Sequence, residues 1–271
     1  MSSEFLNKKT GPLSLTALVD TTKTLLVLTG IVWLLALGSQ RLGYNWQWYR
    51  IPQYLWTFTD QGFTWGPLME GLGVTFKITG ISLVLMLVIG LTTALMRMSD
   101  SWAAQGAARG YMELIRNTPL LIQIFFIYFV LAPILGISAF RSAVIALSLF
   151  EGAYASEIFR AGITSIDKGQ WEAAKSLGMG PYAMYRHIIL PQAVRRVLPP
   201  LTSQAVSLIK DSALVSTIAI LDLTQRGRMI DAETFLTFEI WFTVAAIYLV
   251  VTLALSGVVW LLERRFNGLK A

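Results

Sequence analysis

Long apolar stretches with almost no charge dominate this sequence and constrain its fold more than any other feature. Only 14% of the 271 residues are charged and 55% are hydrophobic, whereas a soluble domain usually carries about 25% charged residues. A helix needs about 20 mostly apolar residues to cross a bilayer. Five stretches reach that size: Met69–Met96, Pro119–Leu135, Ser142–Ile163, Leu198–Leu221 and Glu239–Leu262. The sequence therefore predicts an all-α integral membrane protein, and it excludes an ordinary soluble enzyme and a disordered chain.

A shorter apolar stretch lies near the N-terminus, within Leu18–Gly38, and more than one role fits it. Its uninterrupted part, Leu25–Gly38, has the length of a signal-peptide core, and Ala36-Leu37-Gly38 resembles a cleavage site. The long region before it, with Asp20 close to the apolar core, favours a retained helix. We predict an extra N-terminal span, with a signal peptide or a helix lying on the membrane as the alternatives.

Lysine and arginine residues are distributed unequally between the two sides of the predicted spans. With six spans, both termini share a side with the segments 97–117 and 164–197. That side holds Lys8, Lys9, Lys23, Arg97, Arg109, Arg116, Arg160, Lys168, Lys175, Arg186, Arg195, Arg196, Arg264, Arg265 and Lys270. The other side holds only Arg41, Arg50, Arg141, Arg226 and Arg228. Because basic residues concentrate on the cytoplasmic side, both termini are predicted to be cytoplasmic, and the charge of +6 needs no nucleic acid.

The predicted outer side begins with an aromatic stretch, Gly43–Trp65. It starts Tyr44-Asn45-Trp46-Gln47-Trp48-Tyr49, and Trp and Tyr favour the boundary between membrane and water. We interpret it as a loop or a surface-lying segment. Interfacial anchoring and contact with a ligand-delivering protein are both open.

Residues for several kinds of catalysis are missing. The chain has no Cys and one His, His187, so thiolate metal sites, Cys nucleophiles and multi-His metal sites are excluded. It lacks the phosphate loop G-x-x-x-x-G-K-[ST] and the motifs H-E-x-x-H and G-x-S-x-G. His187 is interpreted as a solvated or helix-packing residue. The chain is predicted to be non-catalytic and to bind no cofactor or metal itself.

The polar segment 164–197, between the fourth and fifth of six predicted spans, has a regular pattern. Gln170–Ser176 predicts a short helix, and Leu177–Gly180 predicts its end and a turn. Pro181 then opens a second helix, which Pro191 ends or kinks. Two short helices at an angle predict a compact projection.

The end of this segment leads into the fifth predicted span. Pro199-Pro200 is interpreted as the start of that span's helix, where a missing N–H costs little.

The spacing within this segment resembles the signature E-A-A-x-x-x-G-x9-I-x-L-P of permease subunits of ABC importers. The matching residues are Glu172, Ala173, Ala174, Gly178, Ile188, Leu190 and Pro191. In that family the element is a coupling helix that docks in a cleft of the ATP-binding subunit. The small residues Ala173, Ala174 and Gly178 are expected to let another protein's surface approach closely. An unrelated amphipathic loop is the alternative.

Three further runs are similar to polar amino acid permeases of the histidine/glutamine/arginine/glutamate type. Glu113–Leu121 resembles E-L-x-R-x-T-P-L-L, and Ala153–Ile163 resembles A-Y-x-x-E-x-x-R-x-G-I. Lys210–Leu214 resembles K-D-[ST]-S-L, with Ala213 in place of the usual Ser. The resemblance covers roughly residues 66–266.

This resemblance implies the transmembrane domain of a type I ABC importer, with five core spans and one extra N-terminal span. Residues 1–60 would form a cytoplasmic tail, the extra helix and an outer loop. Residues 61–271 would form the transmembrane domain, with the cytoplasmic coupling loop at 164–197.

The resemblance also implies the setting in which this chain works. It would lie in the bacterial inner membrane with a second permease subunit, identical or paralogous, and two ABC ATPase subunits that hold ATP and Mg. An amino acid-binding protein would deliver the substrate outside. A stand-alone ion-gradient-driven carrier or channel is the alternative, but it leaves the cytoplasmic projection without a purpose. An intramembrane enzyme would need a set of catalytic residues that this sequence lacks. A structural or signalling role would not explain the motifs.

Ionisable residues inside a membrane are costly and usually face a partner or a water-filled path. Glu151 and Glu157 lie six positions apart, so they point about 240° apart around one helix. Glu151, the deeper residue, is a candidate for contact with the substrate's amino group, or it pairs with another residue or subunit. Glu157 forms a structural pair with Arg160 or faces the path. Lys210 and Asp211 form an internal pair or mark a helix break, or they contact the ligand or a gate.

Overall fold

The computed structural model describes residues 15–41, 43–59 and 62–267, and the chain divides into two compact units, Met1–Gln47 and Trp48–Ala271. In the first unit, helix α1 spans Leu15–Arg41. At a rise of 1.5 Å per residue this helix is about 40 Å long, and it includes the predicted N-terminal span. Lys8, Lys9, Lys270 and the predicted domain boundary at residue 60 lie outside the described residues.

The second unit opens with short elements. A 3-10 turn at Trp48–Arg50 leads into helix α2, Pro52–Leu55. Strands β1, Trp56–Thr59, and β2, Gly62–Trp65, form an antiparallel hairpin. The backbone N–H of Gly66 donates to the carbonyl of Leu55 at 2.8 Å and closes the base of this hairpin. The sequence predicted a loop or surface-lying segment here, and it did not predict the strands.

Helices form most of the rest of the second unit. They are α3 (Pro67–Met98), α4 (Trp102–Arg116), α5 (Leu120–Phe125), α6 (Ala132–Leu135), α7 (Ala139–Thr164), α8 (Lys168–Ser176), α9 (Pro181–Met184), α10 (Leu190–Asp211), α11 (Leu223–Thr234) and α12 (Thr237–Asn267). Two π-helical segments, Phe126–Leu131 and Tyr185–Ile189, join α5 to α6 and α9 to α10. A 3-10 segment, Ser212–Ile218, follows α10.

Three helices in the described part of the chain are long and apolar enough to cross a membrane. They are α3, α7 and the part of α12 from Thr237 to Leu261. A fourth candidate arises if α4 and the helical stretch Leu120–Leu135 count as one bent span. Three of the predicted core spans thus coincide with long apolar helices, while the count of five plus one stays a prediction.

A sharp corner of 106° separates α4 from the helical stretch Leu120–Leu135. Pro119 disfavours a helical backbone at the residue before it, so α4 cannot continue through this point. The buried side-chain amide of Gln123 donates to the carbonyls of Ile115 at 2.8 Å and Thr118 at 3.0 Å. It thereby satisfies carbonyl groups that a helix end leaves without partners. The motif run Glu113–Leu121 therefore builds this corner.

The helix at the fifth predicted span starts earlier than predicted, and its prolines lie inside it. Helix α10 begins at Leu190 rather than Leu198, and Pro199 and Pro200 lie inside it. The prediction that these prolines start a helix was wrong. Proline crowds the carbonyl four residues before it, and for Pro191 that carbonyl belongs to His187, within the π-helical segment. The wider π turn accommodates the ring, so the helix continues past Pro191.

Helices α3 and α7 form the centre of the bundle. Their backbones approach so closely at Gly90 that an added Cβ would lie 2.7 Å from the Cβ of Ala155. Farther along the same helices, Ile78 and Leu147 pack in one cluster with Leu208 of α10, and all three are fully or almost fully buried. The close approach places the polar residues of α7 between α3 and α10.

Candidate functional site

The projection formed by α8 and α9, which we call the knob, is shaped by its turn residues. Asp167 caps α8, because its Oδ1 accepts a hydrogen bond from the N–H of Gly169 at 2.7 Å. After Ser176 the chain turns through Gly178, whose φ of +71° is left-handed and favours glycine. Pro181 then starts α9. The predicted helix, the turn and the start of a second helix at Pro181 are confirmed. The prediction that Pro191 could end this second helix was wrong, because the chain stays helical through the π-helical segment into α10.

The inner face of the knob packs against the ends of α7 and α10. Ala174 is only 2% exposed and lies in a cluster with Met184 and Ile189. Trp171 and Tyr185 contribute an edge-to-face ring pair with centroids 5.5 Å apart. Ala174 was predicted to allow approach of another protein, and this was wrong, because its methyl group fills the knob's own core.

The outer face of the knob is exposed and partly apolar. Glu172, Ala173 and Gly178 are exposed there. Two large side chains that the sequence reasoning missed stand beside them, Leu177 at 79% exposure and Tyr182 at 81%. The sequence signal that could have identified them is the presence of two large apolar residues at the predicted turn. Large exposed apolar groups beside a tight turn are suited to insertion into a pocket of another protein.

The remaining signature residues lie where the knob joins α10. Ile188 is partly buried against the knob's core, whereas Leu190 is 44% exposed and Pro191 is exposed. These residues form the connection between the knob and the long helix.

Two carboxylates, the buried Glu151 and the partly buried Asp211, lie close together where α7 meets α10. Glu151 is fully buried, and its Oε2 accepts a hydrogen bond from Nε2 of Gln204. The Asp211 carboxyl group lies close enough to Glu151 to interact with it, while the other Glu151 oxygen, Oε1, has no hydrogen-bond partner among the described residues. Two acidic groups and an amide therefore lie together here, and the carboxylate oxygens can accept hydrogen bonds.

Lys210 is exposed and belongs to no salt bridge within the described residues. The predicted internal pair with Asp211 is therefore absent from that part of the chain. The alternative, a helix break, is present, because the α-helix gives way to the 3-10 segment at Ser212.

Glu157 forms a second charged centre, at the end of the bundle near the knob. Its Oε1 accepts from Nη1 of Arg97 at 2.7 Å and of Arg116 at 3.3 Å, and its Oε2 accepts from Nη2 of Arg160 at 3.0 Å. The predicted pairing with Arg160 is confirmed, and the other two arginines were missed because they lie on α3 and α4. One carboxylate thus holds three helices together.

The opposite end of the bundle has a polar cluster that the sequence reasoning did not identify. Asp222 is fully buried and caps α11, since its Oδ1 accepts from the N–H of Gln225 at 2.9 Å. Within the described residues its Oδ2 has no hydrogen-bond partner, and burial raises the pKa of this carboxyl group to about 6. Next to it, Arg226 forms a salt bridge with Glu70 at 2.9 Å and ties α11 to α3.

Comparisons with known proteins agree on one family. Residues 86–268 match the family described as binding-protein-dependent transport system inner membrane component. The chain is similar to the glutamine transport system permease protein GlnP of Escherichia coli (strain K12), with 41% identity over 203 residues, which are 74% of this chain and 93% of that protein. It is also similar to the nopaline transport system permease protein NocM of Agrobacterium fabrum, with 37% identity over 74% of this chain and 88% of that protein.

Solved structures show the same fold. A crystal structure of an amino acid ABC transporter with histidines is 41% identical, with a TM-score of 0.69, and the match covers 73% of this chain and 94% of that chain. An inward-facing structure of the MetNI methionine ABC transporter is 18% identical, with a TM-score of 0.62 over 73% of this chain and 95% of that chain. This second likeness shows the fold alone.

Proposed function

The chain belongs to the family of binding-protein-dependent transport system inner membrane components, and from this premise we propose that it forms the translocation path for a polar amino acid. It is a membrane permease subunit of an ABC importer and is not itself catalytic, since ATP hydrolysis lies on a separate subunit. The observation that carries the proposal is the exposed knob at 168–184, with its E-A-A signature. The substrate class is supported by relatives named for glutamine and nopaline transport.

The knob is proposed as the surface that docks on the ATPase. Leu177 and Tyr182 would insert into a cleft of that subunit, and burial of each side chain would favour binding by about 1.5–3 kcal/mol. Glu172 and Ala173 would line the contact, because both are exposed and Glu172 belongs to no salt bridge within the described residues. Gly178 would shape the turn, while Ile188, Leu190 and Pro191 would pass movement of the knob to α10.

Glu151 and Asp211 are proposed to face the substrate path. Their proximity supports a cationic ligand group, such as the amino group common to all amino acids, which would neutralise carboxylates that are costly to bury when unpaired. Lys210, exposed beside them, would contact the substrate's carboxylate or a gate. Glu157, held by three guanidinium groups, would secure the end of the path nearest the knob.

The proposed assembly places both termini and the knob in the cytoplasm of a bacterium. A second permease subunit, identical or paralogous, would complete the path, and two ATPase subunits would hold ATP and Mg. An extracytoplasmic binding protein would deliver the amino acid. The excess of Lys and Arg on the side that contains the knob supports this orientation.

A substitution on the knob tests the proposal. Leu177→Asp is expected to uncouple ATP hydrolysis from transport, because a carboxylate cannot enter an apolar cleft without losing its hydration. Substrate-stimulated ATPase activity and uptake should both fall by about tenfold or more. The purified complex is measured in proteoliposomes.

Thr164→Asp is the matched control, since Thr164 is exposed at the nearby end of α7 but lies outside the knob. It should leave both activities close to those of the original chain. Normal coupling in Leu177→Asp, with the ATPase still bound, would contradict the docking assignment.

A further inference from the structure

The hairpin of β1 and β2 carries four large aromatic side chains on one face. Trp56 pairs with Trp65, and Phe58 pairs with Phe63. Because alternate residues of a strand point to the same face, all four rings share one side of the hairpin. They are 45%, 58%, 79% and 49% exposed, respectively. We call these four residues the aromatic face.

The other face of the hairpin is small and polar. Thr57 and Thr64 lie there, with their hydroxyl oxygens 2.7 Å apart. The strand residues 56–59 and 62–65 include no charged side chain. The aromatic face thus suits an apolar environment, and the threonine face suits water.

The base of the hairpin is fixed to the helical bundle. A Cβ added at Gly66 would lie 2.4 Å from the carbonyl carbon of Tyr54, so the two backbones are in direct contact. Just before the hairpin, Ile51 is 7% exposed and packs among residues of α3, α11 and α12. These contacts fix the base of the hairpin next to the start of α3.

This attachment sets the level of the hairpin relative to a membrane. Helix α3, long and apolar enough to cross a bilayer, starts at Pro67, two residues after the hairpin ends at Trp65. The aromatic face therefore lies at the end of a candidate span, which is where tryptophan is enriched in membrane proteins. The hairpin precedes the family match, which starts at residue 86.

We propose that the aromatic face is a membrane anchor that lies in the boundary between lipid headgroups and acyl chains. The rings would enter the apolar side of this boundary, with the two indole N–H groups free to donate to headgroups or water. The threonine face would stay in water. An uncharged surface of four aromatic rings next to a span fits lipid better than it fits a soluble partner, for which polar and charged groups would surround the contact.

Site-directed spin labelling tests this anchor, because the chain has no cysteine. Phe58→Cys places a label on the aromatic face, and Thr57→Cys places one on the opposite face of the same strand. The full chain is reconstituted in vesicles of phosphatidylethanolamine and phosphatidylglycerol. The label at 58 should collide mainly with oxygen, and its accessibility to a water-soluble nickel chelate should be about tenfold lower than that of the label at 57.

Two results would overturn the proposal. Equal access of the nickel chelate to both labels would place the aromatic face in water. A label at 58 that is shielded from oxygen as well as from nickel would place it against protein. Phe63→Cys, on the partner strand, repeats the measurement if Phe58→Cys does not reconstitute.

Discussion

Glu151 is the residue on which the proposed substrate path depends most. It is fully buried, Asp211 lies close by, and one of its oxygens has no hydrogen-bond partner in the part of the chain that the structure describes. A buried carboxylate retained without a positive partner is a candidate for ligand contact. Glu157, on the same helix, is the contrasting case, because three arginines satisfy it.

We expect Glu151→Gln to weaken transport by about tenfold or more, since it removes a charge that the substrate's amino group would meet. Uptake and substrate-stimulated ATPase activity measure the effect, and the ATPase should still bind. Glu113→Gln, which changes an exposed carboxylate on α4, is the control. Unchanged uptake and unchanged substrate preference in Glu151→Gln would remove this residue from the path.

Gly90 sets the spacing of the two central helices. Gly90→Ala should destabilise the fold by about 1–3 kcal/mol, because the new methyl group would press on Ala155 and its backbone. The mid-point of thermal unfolding in detergent checks this.

Gly80→Ala, on the same helix with nothing within 4 Å of the new Cβ, is the control for Gly90→Ala. It should be neutral or slightly stabilising, because alanine favours a helix by up to about 1 kcal/mol over glycine. Equal stability of the two variants would show that the close contact of α3 and α7 is unimportant.

At the scale of elements, the sequence predicted best where a long helix is mostly apolar. Helices α3, α7 and α12 follow directly from long, mostly hydrophobic stretches. The predicted start of helix α10 was too late in the sequence, because Arg195 and Arg196 lie within the helix. Hydropathy measures how readily a segment transfers to lipid, and it does not measure whether the segment is helical. Helix α4 was missed as a helix for the same reason.

The knob shows the same limit at the candidate site. Its motif and its turn residues predicted two helices and a bend, and these are present. Which face is buried could not be predicted, because Ala173 and Ala174 are identical in chemistry and differ only in their direction on α8. The pairing of Glu157 with Arg97 joins residues 60 positions apart, and a local pattern carries no information about such a contact.

The start of α11 should make stability depend on pH. Burial raises the pKa of Asp222 from an ordinary 3.8 to about 6, so the folded state favours the neutral acid. Its contribution to stability is complete below pH 3.8 and is lost as the pH rises through about 6. Between these values the free energy of unfolding should fall with rising pH.

Asp222→Asn should flatten this part of the pH dependence. Asparagine keeps the oxygen that caps α11 and cannot ionise. Thermal unfolding of both proteins across this pH range measures the difference. A slope that is the same in both would show that Asp222 does not titrate there.

At the scale of the whole molecule, the helices differ in how much the chain itself covers them. In the apolar segment of α7 that is long enough to cross a membrane, 61% of the residues are buried inside the chain. In the corresponding segment of α12 the buried share is 6%. Helix α7 is therefore central, and α12 presents its apolar surface to lipid or to another subunit. The exposed apolar surface of α12 is consistent with the second permease subunit that we propose.

We propose that this chain transports only when an ATPase acts on its knob. Uptake of radiolabelled polar amino acids into proteoliposomes tests this dependence, with the chain reconstituted alone or together with the ATPase and the binding protein of its importer. We predict uptake only with all partners and ATP, and loss of that uptake in Leu177→Asp. Uptake by the chain alone, driven by an ion gradient, would contradict the account.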